Sequence, residues 1–239
     1  MYKYILFDFD GTVFDTVEGI TKSVQYALAK RGIEAELDSL RCFAGPPLVD
    51  MFMEKFDLTQ EEAEAATEDF RERYQPIGLY ECRVFPGIKE LLHALIGAGL
   101  HVGIATSKPQ HLAEKLLEGE GMLELFEVIS GSDSDGNNNS KAAVLTRAMN
   151  ALGADKKETV LVGDTKYDVA GAKACGVDCI GVRYGYAAEG ELASAGADHI
   201  VNDLQQLKAL LLNEEGESMF RPMSERQGRY PMRPRKHCC

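Results

Sequence analysis

The sequence predicts an α/β fold, with a mainly parallel sheet covered by helices and interrupted near its start by an inserted helical block. Three observations predict it. A short apolar run, Tyr4-Ile5-Leu6-Phe7, ends at two carboxylates, Asp8 and Asp10, as a buried strand does when it opens onto a polar site. From Pro86 onward, apolar runs of strand length alternate with helical periodicity, which is the pattern of a parallel sheet. Between these regions, residues 16 to 80 read as helix without a convincing strand. The opening strand needs the later strands as partners, so the helical block is expected to be an insertion. It would lie over the carboxyl ends of the strands, where open α/β sheets place their ligands, and act as a lid. The expected division is a core of residues 1–15 and 83–212, a helical cap of 16–82 and a flexible basic tail of 213–239.

Each element has its own local reason. Ile20, Val24, Ala27 and Leu28 recur at helical spacing over 16–31, with Thr16 as the expected cap and Gly32 after the end. Residues 33–45 are less periodic, and Gly45-Pro46-Pro47 is a turn that can start a helix at Leu48. Thr59 followed three residues later by Glu62 is a capping box, opening a helix that runs through Phe70 and Tyr74. After Pro86-Gly87, a helix over Ile88–Ile96 precedes a buried strand over Leu100–Ala105. Thr106, Ser107 and Lys108 follow that strand, and Pro109 suits the first turn of the next helix. A strand at Phe126–Ser130 and a polar loop at 131–140 lead to a helix beginning at Lys141. Thr159–Gly163 is the next strand, with a turn from Asp164 to Asp168 and a helix ending at Gly176. A strand at Cys179–Val182, a small helix at 189–196, an edge strand at 197–201 and a helix over Leu204–Leu212 complete the pattern.

Composition excludes several classes. The formal charge of -12 argues against a general nucleic-acid or acidic-membrane binder. No run approaches a membrane span, and Asp8 and Asp10 interrupt the amino terminus before a secretion signal could form, so a cytoplasmic protein is expected. The six cysteines do not have metal-knuckle spacing and imply no disulfide framework. The tail carries Arg221, Arg226, Arg229, Arg233, Arg235 and Lys236 and ends in Cys238-Cys239, which lacks the Cys-aliphatic-aliphatic-X form of prenylated proteins.

Four strand or helix ends are expected to converge on one side of the sheet. They present Asp8 and Asp10, then Thr106 and Ser107, then Lys141, then Asp164 and Asp168. Buried carboxylates need a cationic partner. Asp8, a backbone carbonyl near Asp10, and Asp164 could give oxygen ligands to Mg²⁺, the hard cation that prefers such donors. Lys141 and the Thr106 hydroxyl could hold a phosphoryl group. In this arrangement Asp8 attacks phosphorus, while Asp10 protonates the leaving oxygen and later acts as base toward water. Asp168 could coordinate the metal or orient Lys141. Lys108 is expected to be exposed, with contact to substrate or lid as the functional alternative.

Asp8-Phe9-Asp10-Gly11-Thr12, Thr106 after its strand, Lys141, and Gly163-Asp164-Thr165-Lys166-Tyr167-Asp168 resemble the four motifs of the haloacid dehalogenase superfamily. The overall look is similar to its phosphoglycolate-phosphatase-like branch, and the match spans about residues 3–210. The resemblance implies a Rossmann-like core with an α-helical cap and a Mg²⁺-dependent phosphatase acting on a small phosphorylated metabolite. It implies Asp8 as nucleophile, Asp10 as acid and base, Thr106 and Lys141 as phosphate-binding residues, and Asp164 as a metal carboxylate. It also brings the Gly45 turn toward the site and offers Arg41 as a contact for a leaving-group carboxylate. Ala142 stands where a proline commonly follows the motif lysine. The alternatives are a β-phosphoglucomutase-like phosphomutase, an inorganic pyrophosphatase and a noncatalytic interaction protein. Oligomeric state is open.

Overall fold

The structure is a computed structural model that describes residues 1–133 and 140–213. The basic tail from residue 214 onward, and residues 134–139 of the expected polar loop, lie outside the described residues. In chain order the strands are β1 (Tyr4–Phe7), β2 (Phe14–Asp15), β3 (Arg83–Val84), β4 (His101–Pro109), β5 (Val128–Ser132), β6 (Thr159–Gly163), β7 (Asp178–Val182) and β8 (His199–Val201). The helices are α1 (Val17–Ala29), α2 (Leu48–Phe56), α3 (Gln60–Tyr74), α4 (Ile88–Gly97), α5 (Gln110–Gly119), α6 (Lys141–Leu152), α7 (Lys166–Cys175), α8 (Glu191–Ala195) and α9 (Leu204–Leu212).

Six strands form one parallel sheet in the order β5-β4-β1-β6-β7-β8. This is the doubly wound α/β arrangement, in which the chain winds outward from β1 to one side and then to the other. Alternation along each strand feeds two apolar layers. Ile5, Phe7, Val160 and Val162 belong to one cluster, with Ile88 and Leu92 of α4 and Leu207 of α9. Leu6 and Leu161 belong to the other, with Val144 and Leu145 of α6 and Val169 of α7. Burial on both faces explains why these strands read as unbroken apolar runs. The carboxyl ends of β1 and β6 lie side by side at the switch of winding direction, the place where such sheets leave a crevice.

The helices α1, α2 and α3 fall in sequence between β2 and β3. Those two short strands pair antiparallel, Phe14 with Val84 and Asp15 with Arg83, and the latter pair also forms a 2.9 Å ion pair. Two-residue strands leave no periodicity to read, which is why the sequence predicts neither of them. The capping box at Thr59 and Glu62 forms as expected. The two residues that follow α1 pair with α3, Arg31 with Asp69 at 2.6 Å and Lys30 with Glu72 at 2.7 Å.

Several boundaries differ from expectation. The Thr16 side chain does not cap α1; instead its backbone N–H donates to the Tyr186 hydroxyl at 2.6 Å. Residues 37–43 form a 3₁₀ segment. β4 continues to Pro109, past the expected end at Ala105, and α5 begins one residue later.

Helix α1 comes unusually close to the segment that leaves α3. A Cβ on Gly19 would stand 1.9 Å from the Gly78 carbonyl oxygen. Gly19→Ala must push two backbones apart and is expected to destabilise the protein by about 1–3 kcal/mol, the usual range for overpacking. An unchanged urea midpoint would show that the contact yields freely.

Candidate active site

The site grows from the ends of β1 and β6. The Asp8 N–H donates to the Val162 carbonyl at 2.8 Å, extending the strand pairing by one residue and fixing the Asp8 side chain at the crevice. The chain then turns at Gly11, whose φ of +83° suits glycine. A Cβ there would also sit 2.2 Å from Asp164 Oδ2, so the turn can pass the carboxylate only because position 11 has no side chain. Asp164, the residue after β6, is fully buried. It accepts hydrogen bonds from the Thr12 hydroxyl at 3.1 Å and from the Tyr186 N–H at 2.7 Å.

Lys141 opens α6 and turns its side chain inward. Its Nζ stands 2.6 Å from Asp8 Oδ1 and 2.9 Å from Asp168 Oδ1, and donates to the Ala105 carbonyl at 3.3 Å. The aliphatic part of the lysine lies against Gly171 of α7, where a Cβ would approach Lys141 Cγ to 2.4 Å. Asp168, in the first turn of α7, uses its other oxygen to accept from the Thr165 N–H at 3.0 Å and hydroxyl at 2.8 Å. Asp8, Lys141 and Asp168 are all buried.

Electrostatics sets the character of this group. Burial pushes the Asp8 carboxyl up to about 6; the Lys141 charge opposes that rise and the Asp168 charge adds to it. Burial, followed by the neighbouring charges of Asp168 and Asp8, holds Asp164 well above the ordinary carboxylate range. Burial would lower Lys141, but the carboxylates of Asp168 and Asp8 more than offset it and keep the ammonium protonated. Oxygens of Asp8, Asp164 and Asp168 lie within 4.8 Å of one another. Three buried carboxylates facing one ammonium leave an excess of negative charge, and an oxygen-only donor set of this kind fits a divalent cation such as Mg²⁺.

The remaining expected residues are placed unevenly. The Asp10 side chain stands outside the three-carboxylate group and accepts from Lys108 Nζ at 3.0 Å. Lys108 is not exposed as expected: its side chain is 3% exposed and donates to the Tyr74 hydroxyl at 2.6 Å. Thr106 is buried, with its hydroxyl accepting from the Lys108 N–H at 3.2 Å, whereas Ser107 faces solvent. Gly45 lies near the start of α7, a Cβ there falling 3.4 Å from Thr165 Cγ2. Arg41 is exposed on the 3₁₀ segment.

Sequence reasoning missed Tyr74, Thr12 as a partner of Asp164, and the loop of Tyr184, Gly185 and Tyr186. Tyr184 donates to the Thr12 carbonyl at 3.1 Å, and a Cβ on Gly185 would meet Asp164 Cβ at 2.3 Å. The available signal was position, since this loop follows the carboxyl end of a parallel strand.

A doubly wound sheet with carboxylates and a lysine gathered at its switch point defines a class of enzyme site, and comparison with known proteins narrows it. The family model described as haloacid dehalogenase-like hydrolase matches residues 5–182. The chain belongs to that family. It is 41% identical over 211 residues to the 5′-nucleotidase of Pseudomonas aeruginosa, covering 88% of this chain and 96% of that one. It is 35% identical over 212 residues to a plasmid-borne phosphoglycolate phosphatase of Cupriavidus necator, covering 87% and 92%. The crystal structure of a predicted phosphatase from Clostridium acetobutylicum superposes with a TM-score of 0.85 at 40% identity, covering 89% of this chain and 99% of that one. Among the described residues, no helix is long and apolar enough to cross a membrane.

Proposed function

We propose that this phosphoric monoester hydrolase cleaves small organic phosphates through an aspartyl-phosphate on Asp8. The observation that carries this reading is the meeting of Asp8, Lys141, Asp164 and Asp168 at the ends of β1 and β6. Asp8 attacks phosphorus as the ester P–O bond breaks, and Asp10 gives its proton to the leaving oxygen. Asp10 then takes a proton from water as the water oxygen attacks phosphorus, releasing phosphate and restoring Asp8. Lys141 holds the phosphoryl oxygens together with the Thr106 hydroxyl, and Asp168 keeps the Lys141 ammonium aimed at Asp8. Asp8, Asp164 and a backbone carbonyl near Asp10 would hold Mg²⁺. When bound, Mg²⁺ supplies positive charge that offsets repulsion between the carboxylates and the phosphate.

Residues 16–82 are read as a cap over a core of 1–15 and 83–212, with substrate choice assigned to the cap. The Gly45 turn beside Thr165 supports that assignment. The identity to a 5′-nucleotidase, 41% against 35% to the phosphoglycolate phosphatase, supports testing nucleoside monophosphates before phosphoglycolate as substrates. Arg41, exposed to solvent, adds nothing in favour of a carboxylate-bearing leaving group.

The test is phosphate release from nucleoside monophosphates, phosphoglycolate, sugar phosphates and pyrophosphate, with Mg²⁺ and with EDTA. Release is expected to require the metal and to return when Mg²⁺ is restored. Isomer formation without phosphate release would instead establish a mutase, and full turnover in EDTA would remove the metal from the reading.

A further inference from the structure

The contacts around Asp10 reach into the helical insertion. Thr106 and Lys108, two residues apart on β4, are both buried, while Ser107 between them faces solvent. The Lys108 ammonium stands 3.0 Å from Asp10 Oδ1 and donates to the Tyr74 hydroxyl at 2.6 Å. It also lies 5.5 Å from the centre of the Phe9 ring and 5.1 Å from that of Tyr74. Tyr74 is the last residue of α3, and its buried ring stacks on Phe70 with centroids 4.9 Å apart. Held by two oxygens and two aromatic rings, the ammonium has little freedom, and neither has the carboxyl it touches.

We propose that Lys108 is a positioning residue for the acid step, aiming the Asp10 carboxyl and stabilising the negative charge that develops there as the proton leaves, with Tyr74 fixing Lys108 from the insertion. The inference rests on the reading of Asp10 as general acid. As the ester bond breaks, the Asp10 proton moves to the leaving oxygen and the carboxyl becomes an anion. An ammonium 3.0 Å away therefore interacts more strongly with the transition state than with the ground state. Its contribution is greatest for strongly basic leaving groups and smallest for those that depart without a proton. A purely structural role has no such dependence, and neither does a role in binding the phosphoryl group.

The test compares kcat/KM for phenyl phosphate and para-nitrophenyl phosphate on the full chain with Mg²⁺, because the two esters share a ring and differ in leaving-oxygen basicity. Lys108→Met is expected to lose about 10- to 100-fold on phenyl phosphate and less than about threefold on para-nitrophenyl phosphate, a loss at or below the range of general acid catalysis. Tyr74→Phe keeps the ring and removes one hydrogen bond, so it should show the same bias at about three- to tenfold. It carries the test if Lys108→Met folds poorly. Lys108→Arg should recover part of the bias-dependent loss. Equal losses on both esters, or no loss on either, would overturn the proposal. Asp10→Asn distinguishes the two readings. A strong leaving-group bias in Asp10→Asn with none in the Lys108 and Tyr74 variants rejects the positioning role alone, and no bias in Asp10→Asn rejects the acid assignment itself. Adding Lys108→Met to Asp10→Asn should produce no further bias, since the two act through one group.

Discussion

Asp8→Asn is expected to lower kcat by about 10⁴-fold or more, because on the proposed mechanism it removes the nucleophile and so disables the whole sequence of steps and not one interaction within it. The same substitution is expected to make the metal-free protein more stable at neutral pH. Burial raises the Asp8 carboxyl to about 6 in the folded chain, above its ordinary value, so the folded state resists ionising it. The sign follows from linkage. Below the ordinary value, Asp8 is protonated whether folded or not and costs nothing. The cost then grows with pH and is fully present above about 6. Asparagine removes the charge at nearly constant volume, which should stabilise the metal-free protein by about 1–3 kcal/mol at pH 7.5. Urea unfolding in EDTA and in Mg²⁺ checks both parts. The gain should shrink or reverse with metal if Asp8 is one of its ligands, as proposed. A variant that turns over normally would end the assignment of Asp8 as nucleophile, and one equally stable in EDTA at pH 7.5 would end the electrostatic account.

Lys141→Met has the opposite effect on stability. Methionine can follow the aliphatic path beside Gly171, so packing is largely kept while the charge is lost. Asp8 Oδ1 and Asp168 Oδ1 are buried and would lose the ammonium that stands 2.6 and 2.9 Å from them. Removing one partner from a buried charged group typically costs about 3–5 kcal/mol, and that loss is expected in EDTA. Mg²⁺ should recover part of the stability without recovering the activity, since on the proposed mechanism a cation held by carboxylates does not replace the lysine proposed to bind the phosphoryl oxygens. The fall in kcat is expected to be at least about 10²- to 10³-fold, the range for loss of one donor to a developing oxyanion. Identical urea midpoints for the variant and the wild type in EDTA would refute the idea that Lys141 compensates these carboxylates.

The parallel sheet was legible because both its faces are buried. That burial turns β1, β4 and β6 into apolar runs, each followed by polar residues at the ligand end. The Thr59 capping box was equally legible, since its two partners are three residues apart. Lys108 was misread because β4 was ended four residues too early. With the strand carried to Pro109, a period of two places Thr106 and Lys108 on one face and Ser107 on the other. Tyr186 could not be read in this way. It binds Asp164 through its backbone and Thr16 through its hydroxyl, so its role depends on a loop meeting residues far away in the chain. The β2–β3 pair was hidden for a related reason, because two residues are too few to display alternation.

That small pair also bears on how such a chain can change over generations. Asp15 and Arg83 are paired neighbours, so the backbone enters and leaves the helical segment at almost the same point. A segment spliced between them closes its loop without moving β1 or β4, and each doubling of its length adds only about 0.6 kcal/mol of closure entropy. Changes in the intervening helices that keep Tyr74 against Lys108 can then be tried by mutation while the residues gathered around Asp8 stay in place. The ribbon works as a splice point, so that the helices between its strands can vary without shifting the strand ends that carry the buried carboxylates.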